Sequence, residues 1–277
     1  MKSEMRFVAF PLVAFLLAAG CAGTLKATRS YPAPTADELL QAVRDRQAKV
    51  RSINVETRAT SWLGGERVRG TVQMLVERGG QLRFEAEVAL QGTIALLTVD
   101  HGQFAFIDHQ KHLFRKGAAC PTNVAELVRI PLAPAEVAAI LLGDVTLPPA
   151  DDGKASVDWD SGRAADVLSV EMQAGTRVWL GLRRPNPQLA AWDVVFLEGQ
   201  DSARPQRWRV SYEDFEHSAG IALPRLIHFA EPGQSFDDGV EIKIRERTVN
   251  QSFPPGAFTL EPPPGYGVVE AFCGAVR

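Results

Sequence analysis

The chain of 277 residues is long enough for one or two domains with a sizeable apolar core. Its acidic and basic residues are interspersed and give a formal net charge of −3. A nucleic-acid partner requires a basic stripe, so the composition argues against such a role and leaves location and fold to define the function.

The N-terminus has the three-part layout of a secretory signal peptide. Lys2 and Arg6 make its start positive, and residues 7–19 form an apolar run of roughly 13 residues. A transmembrane helix needs about 20, so we expect a cleaved signal peptide over residues 1–20. The stretch Leu17-Ala18-Ala19-Gly20-Cys21 resembles the lipobox of bacterial lipoproteins, with Leu17 one place further from Cys21 than usual. The alternative is an ordinary signal in which the cysteine falls there by chance.

The lipobox resemblance implies that Cys21 begins the mature protein and carries acyl chains such as palmitate. Several chains, at about 0.8 kcal/mol per buried methylene, would form a stable anchor. In this family an Asp after the cysteine favours the inner membrane, whereas Ala22 stands here. The expected location is therefore the outer membrane, with the domain facing the periplasm. Residues 21–34, which end in Tyr31-Pro32-Ala33-Pro34, are expected to form a stiff tether.

Two cysteines, Cys120 and Cys273, remain if Cys21 is lipidated. An even pair in an oxidising periplasm predicts a disulfide. Closing a loop of roughly 150 residues would stabilise the fold by an amount on the order of 5 kcal/mol, and often by less in practice. The alternative is two unpaired thiols.

An amphipathic helix followed by a β-meander is expected next. Thr35 and Glu38 fit a capping box, and apolar residues at helical spacing extend the helix over residues 35–51. Short segments then alternate between apolar and polar residues and are separated by tight turns, which predicts six antiparallel strands. These strands centre on residues 53–59, 72–76, 82–88, 94–99, 104–106 and 113–114.

Two short helices are expected in the middle of the chain. Thr122 or Asn123 can cap the first, and Pro134 suits the first position of the second, residues 134–142, with Gly143 as its C-cap. Strands resume at residues 156–159, 167–172, 177–182, 191–197, 208–212, 223–229 and 240–248. The Pro-rich tail after Gln251 is unsuited to a central strand. We expect one α+β, mostly β domain over residues 35–277, with about a dozen strands and three helices.

The order of these elements is similar to that of the LolA/LolB superfamily of periplasmic lipoprotein carriers and receptors. The closing segment carries the resemblance furthest, through Leu223-Pro224 to Phe229, Val240-Glu241-Ile242-Lys243-Ile244, Val249-Asn250, Phe258 and Pro262-Pro263. The resemblance implies a curved antiparallel half-barrel whose helices cover an apolar cavity for acyl chains, and it supports the fold better than the function. A lipid at Cys21 matches the anchored outer-membrane receptor of this superfamily, whereas the soluble carrier has none.

Candidate binding residues follow from this resemblance. Eight apolar strand residues could line a cavity or equally form a filled core: Val72, Met74, Phe84, Ala86, Ile94, Leu96, Phe104 and Phe106. The helix of residues 134–142 would be the lid. Leu90, in the loop Ala89-Leu90-Gln91-Gly92, corresponds to a protruding leucine that the receptor needs for membrane insertion of its cargo. The usual neighbours are Pro-Leu-Gly, and the alternative role of Leu90 is to cover the end of a strand.

The remaining polar motifs favour turns over catalysis. His109 and His112 beside Asp108 have no obvious further ligand, so we expect a solvated turn and no metal or cofactor. Ser161 lacks the strand–turn–helix context of a nucleophile. The acids of Asp151-Asp152-Gly153 and Asp237-Asp238-Gly239 are typical of turns. An enzyme is therefore not expected.

Two functions fit the sequence. The first is a membrane-anchored lipoprotein that binds acyl chains or lipoproteins in the half-barrel and receives them from a periplasmic carrier. The second is a periplasmic sensor or protein-interaction module that uses the same fold without lipid transfer.

Overall fold

The computed structural model describes residues 26–63, 66–88, 90–148, 154–172, 175–186, 191–200, 207–218 and 220–274. The predicted signal peptide, the lipobox with Cys21 and the acidic turn at 151–153 lie outside these residues. Within them are the helices α1 (Ala36–Lys49), α2 (Pro121–Val128) and α3 (Pro134–Leu141). None of these helices has both the length and the apolar character needed to cross a membrane.

Among the described residues, a single sheet of 14 strands forms the body of the protein. Its strands are β1 (Ser52–Leu63), β2 (Glu66–Glu77), β3 (Gln81–Val88), β4 (Gly92–Asp100), β5 (Gln103–Asp108), β6 (Leu113–Ala118), β7 (Ala155–Asp160), β8 (Ala165–Glu171), β9 (Arg177–Arg183), β10 (Asp193–Gln200), β11 (Trp208–Ser218), β12 (Ile221–Ala230), β13 (Val240–Val249) and β14 (Gly267–Ala271). The spatial order is β14-β6-β5-β4-β3-β2-β1-β13-β12-β11-β10-β9-β8-β7. The sheet is curved and does not close into a barrel, which confirms the predicted half-barrel.

The first helix begins as the capping box predicts. The Thr35 hydroxyl accepts a hydrogen bond from the backbone N–H of Glu38, and the Glu38 carboxylate accepts one from the backbone N–H of Thr35. The helix ends at Lys49. Its buried residues Leu39 and Val43 join the interior cluster, and the helix packs against β7 and β8.

The mid-chain helices also pack on the inner face of the sheet, α2 against β4 and α3 against β2 and β3. The predicted caps of α2 are wrong, because Cys120 is its N-cap residue and Asn123 lies inside the helix. The Asn123 side chain instead donates to the carbonyl of Ala118. The helix α3 begins at Pro134 as predicted; Leu142 is its C-cap and Gly143 follows with a φ of 71°.

The Pro-rich tail crosses the outer face of the sheet. Arg83 on β3 donates to the carbonyl of Ala257. Beyond this contact a second apolar cluster forms between the tail and strands β4–β6, from Leu96, Ile107 and Phe114 with Ala105, Leu260 and Tyr266. This segment covers an apolar surface that would otherwise face water, since β4 is buried on both of its faces.

The tail then adds β14, which the sequence analysis did not predict, parallel to β6 at the edge of the sheet. The predicted disulfide joins Cys120 to Cys273 just beyond this strand. It links the N-terminus of α2 to the end of the tail across a sequence separation of 153 residues.

The second part of the predicted tether packs against the domain. Residues 26–34 are described, and they lie against the end of the sheet at β7 and β8. The backbone N–H of Ala27 donates to the carbonyl of Ser161, and the indole of Trp159 donates to the carbonyl of Ala27. We call residues 26–34 the N-terminal strap.

Candidate functional site

An apolar pocket opens at one rim of the half-barrel, where β3 ends and β4 begins; we call this the mouth rim. The pocket lies between the inner face of the sheet and α2 and has a volume of about 140 Å³. Its lining is mostly apolar: Ala59, Thr60, Arg69, Gly70, Val72, Met74, Ala86, Glu87, Val88, Ile94, Leu127, Val128, Val240 and Ile242.

The size of the pocket limits what it can hold in this conformation. A dry cavity of about 150 Å³ accepts a benzene-sized molecule, whereas drug-sized ligands occupy roughly 300–1,000 Å³. The pocket therefore has room for the end of an acyl chain.

Local strand geometry shapes the wall of the pocket. The pairing of β3 with β4 shifts register between Ala86 and Glu87. Such a bulge breaks the strict alternation of side chains, so adjacent residues of β3 can border the same pocket. On the neighbouring strand β2, Gly70 faces the pocket. A Cβ atom added at Gly70 would have one neighbour within 4 Å, the carbonyl oxygen of Glu87 at 3.5 Å.

The structure separates the eight predicted lining residues into three groups. Val72, Met74, Ala86 and Ile94 line the pocket. Phe84, Phe104 and Phe106 are buried in the main interior cluster, where the rings of Phe104 and Phe106 stack. The assignment of Leu96 is wrong, because it lies in the cluster under the tail on the outer face.

The predicted lid is also the wrong helix. The pocket is bordered by Leu127 and Val128 of α2. In contrast, α3 is part of the packed interior, with Val137 and Ala138 fully buried. The contributions of α2 and of Val240 on β13 to the pocket were not predicted. The apolar character of these residues was the one feature of the sequence that pointed to them.

The helix α2 is held to the sheet at three points. The Cys120–Cys273 disulfide fixes its N-terminus, Asn123 donates to Ala118 at 2.8 Å, and Arg115 on β6 pairs with Glu126 at 2.5 Å. Its last turn ends at Arg129, which has a φ of 58°. The N-terminal half of α2 makes two of these attachments. The C-terminal half, which carries the pocket residues, makes one, through Glu126.

The opposite end of the interior is closed by a buried polar network. The Arg46 guanidinium of α1 donates to the carbonyls of Gly143 and Ala222 at 3.3 and 2.7 Å. Asp144 has no exposed surface and pairs with Arg78 at 3.3 Å. Burial raises the pKa of the Asp144 carboxyl, although Arg78 opposes that shift. This network connects α1 and the end of α3 to the sheet at the rim opposite the pocket.

Leu90 also lies at the mouth rim. Its side chain is fully exposed, and its φ of 71° is in a region that few non-glycine residues adopt. The turn is closed by a hydrogen bond from the N–H of Gln91 to the carbonyl of Val88 at 3.1 Å. Leu90 therefore projects into solvent beside the pocket strands, although its functional role stays a prediction.

Leu90 is one of four exposed large apolar residues among those the structure describes. The other three, Val268, Val269 and Phe272, lie together on or directly after the edge strand β14.

The histidine turn packs against the tail and is not simply solvated as expected. His109 hydrogen-bonds through Nδ1 to the Tyr266 hydroxyl at 2.8 Å, and the His112 ring lies 5.1 Å from the Tyr266 ring. In the described ranges no three His, Cys, Asp or Glu side chains are placed to hold a metal ion.

The open curved sheet with helices on its inner face is a LolA/LolB-like fold, as comparison with solved structures shows. No protein-family model and no curated protein sequence matches the chain. Solved structures do. A LolA superfamily protein from Nitrosomonas europaea is 13% identical with a TM-score of 0.51, over 82% of this chain and 99% of that one.

Two further structures share the fold. A DUF1329 family protein from Desulfovibrio piger is 12% identical with a TM-score of 0.53, over 80% of this chain and 95% of that one. A domain named for outer membrane lipoprotein sorting, from Vibrio parahaemolyticus, is 8% identical with a TM-score of 0.53, over 81% of this chain and 97% of that one. At these identities the likeness establishes the fold alone.

Proposed function

We propose that this protein is a non-enzymatic, lipid-anchored periplasmic lipoprotein that binds acyl chains, or the acyl chains of lipoproteins, at the mouth of its half-barrel. The observation that carries the proposal is the apolar pocket between α2 and strands β1–β4 and β13. The fold shared with a LolA superfamily protein and a lipoprotein-sorting domain supports it.

The driving force for binding would be burial of acyl surface, at about 25 cal/mol per Å². Entry of a longer chain would displace the C-terminal half of α2, which is the less attached half of that helix. Anchored through Cys21 in the outer membrane, such a protein would receive lipoproteins from a periplasmic carrier. Transfer from the carrier to this protein then needs only that this protein binds the acyl chains more tightly than the carrier does.

Leu90 supports the same role. An exposed leucine next to an apolar pocket gives a contact point for lipid at the pocket entrance. We propose that Leu90 inserts into the apolar part of the cargo or of a membrane while the acyl chain passes between the pocket and its next environment.

Filling the pocket tests the proposal. Gly70→Leu places a side chain in the pocket without a severe backbone clash, whereas Thr71→Leu adds leucine on the other face of the same strand. Native mass spectrometry of detergent-free protein mixed with a palmitoylated peptide should show complexes for the wild type and Thr71→Leu and a large loss for Gly70→Leu. No uptake by the wild type, or equal uptake by Gly70→Leu, would reject the pocket as the binding site.

A second function, a protein-interaction module, is favoured by the exposed apolar edge. An edge strand presents unpaired backbone groups. The strand β14 adds the exposed side chains Val268 and Val269, and Phe272 follows directly after it. Crosslinking in envelope extracts, followed by Phe272→Ser, tests it. A discrete protein adduct that the substitution abolishes, in the absence of lipid uptake, would favour this function over the first.

A further inference from the structure

The N-terminal strap is bound to the domain by a buried ionic and aromatic contact. The Asp166 side chain has no exposed surface and accepts hydrogen bonds from Arg29 at 2.5 Å and from the Tyr31 hydroxyl at 2.8 Å. The Tyr31 ring makes edge-on contacts with Trp159 and Trp192, at 6.4 and 5.5 Å between ring centres. A buried carboxylate that depends on two strap residues indicates a specific docking site for the strap.

The strap is docked at the rim opposite the mouth. Antiparallel pairing runs from β3 through β2, β1, β13, β12, β11, β10 and β9 to β8, so each strand reverses the direction of its neighbour. Because β3 ends at the mouth rim, β8 also ends there and begins at the other rim. Asp166 is the second residue of β8. The strap and Leu90 therefore lie at opposite ends of the strands, and we call the strap's end the anchor rim.

The docked strap limits the number of residues that separate the domain from Cys21. Five residue steps separate Cys21 from Lys26, which span at most about 18 Å. If the strap were released, the fourteen steps from Cys21 to Thr35 would span at most about 50 Å. Strands of seven or eight residues, such as β8 and β3, separate the two rims by roughly 25 Å. With the strap docked, the chain from Cys21 therefore reaches only a bilayer that lies beside the anchor rim. With the strap released, the longer chain exceeds the distance between the two rims.

We propose that the anchor rim, with the β7–β8 turn, is the surface that faces the lipid bilayer, and that strap docking turns the pocket and Leu90 away from the anchoring membrane. This rests on the proposed lipid anchor at Cys21. In the docked state the mouth rim is presented to an arriving carrier. Release of the strap lengthens the tether and allows the same rim to turn to the membrane.

Burial, together with the hydrogen bond to Asp166, raises the pKa of Tyr31 to about 12. The hydroxyl therefore stays protonated and donates throughout the neutral range.

Site-specific fluorescence quenching in proteoliposomes tests the orientation. The lipidated protein carries one added cysteine for a fluorophore, in Leu90→Cys at the mouth rim or in Gly162→Cys in the β7–β8 turn, and the quencher is a head-group spin-labelled phospholipid. With the strap intact, quenching should be several-fold stronger at position 162 than at position 90. The combined change Arg29→Ala and Tyr31→Ala should shrink this difference, whereas Thr28→Ala with Ser30→Ala, at two exposed strap positions, should preserve it.

The outcomes separate this proposal from the ones on which it rests. Equal or stronger quenching at position 90 in the intact protein, or an unchanged pattern after Arg29→Ala and Tyr31→Ala, would overturn the orientation alone. Failure of the protein to float with liposomes would overturn the lipid anchor and the orientation together. Acyl-chain uptake is measured separately by mass spectrometry, so its failure leaves the quenching result interpretable. Thermal unfolding of each variant confirms that the domain itself remains folded.

Discussion

The hydroxyl of Tyr212 donates a hydrogen bond to the carbonyl oxygen of Ile140 at 3.1 Å. This contact joins β11 in the second half of the sheet to the end of α3, so it fixes the helix in the interior. Burial raises the pKa of Tyr212 well above its ordinary value, with a further contribution from Asp144. The phenol is therefore a permanent donor at this position.

Replacing Tyr212 with Phe should lower the free energy of unfolding by about 1 kcal/mol. The loss stays modest because the Ile140 carbonyl still accepts the N–H of Gly143. Urea denaturation measures the change, and Leu90→Ala, at an exposed position, should alter stability by less than about 0.5 kcal/mol. An unchanged midpoint for Tyr212→Phe would show that this bond does not hold α3.

The disulfide should stabilise both the tail and α2. Replacing Cys120 and Cys273 together with Ser should cost up to about 5 kcal/mol by the chain-entropy model, and the tail should become the first site of proteolysis. Loosening of the tail exposes Leu96, Ile107 and Phe114, so binding of a hydrophobic dye should rise. Protease mapping with unchanged tail protection in the double variant would argue against this coupling.

Glu198 should stabilise the fold in a pH-dependent way. Burial alone would raise its pKa, but hydrogen bonds from Arg207 and Arg163, at 2.8 and 2.7 Å, outweigh burial and lower it. Because the folded-state pKa lies below the unfolded one, this stabilisation is present above about pH 4.5 and is lost as pH falls through the folded-state pKa. The stability difference between wild type and Glu198→Gln should thus be larger at pH 7 than at pH 3. A difference that grows on acidification would contradict this sign.

Leu90→Glu should weaken the contact of the unlipidated domain with lipid while leaving its thermal stability unchanged, because the side chain is fully exposed. Insertion into a phospholipid monolayer, read as a rise in surface pressure, measures that contact. The control Gln91→Glu adds the same charge at the next residue. If both substitutions reduce insertion equally, charge repulsion explains the effect and Leu90 has no specific role.

Much of the fold could be predicted because local signals agree with it. The capping box at Thr35, the alternating strands and the Pro134 helix start each depend on neighbouring residues, and the structure confirms them. The disulfide between Cys120 and Cys273 followed from counting cysteines, since the chemistry of the compartment leaves few pairings.

The errors concern contacts between distant segments. Leu96 is apolar in an apolar strand, and only the tail some 160 residues later makes its outer face a buried one. The strand β14 is short, and about 150 residues separate it in the sequence from its partner β6, so no local pattern predicts it. The docked strap depends on Asp166, which shares the buried face of β8 with Leu168 and Val170. Its partners Arg29 and Tyr31 lie 137 and 135 residues away in the sequence, so no local pattern predicts the contact.

Photo-crosslinking with a fatty acid that carries a diazirine near its methyl end tests the central claim most directly. We predict adducts on the pocket residues of β2, β4 and α2, around Val72, Ile94, Leu127 and Val128, and their loss in Gly70→Leu. Adducts confined to the outer face, around Phe258 and Val268, or adducts that persist in Gly70→Leu, would contradict it.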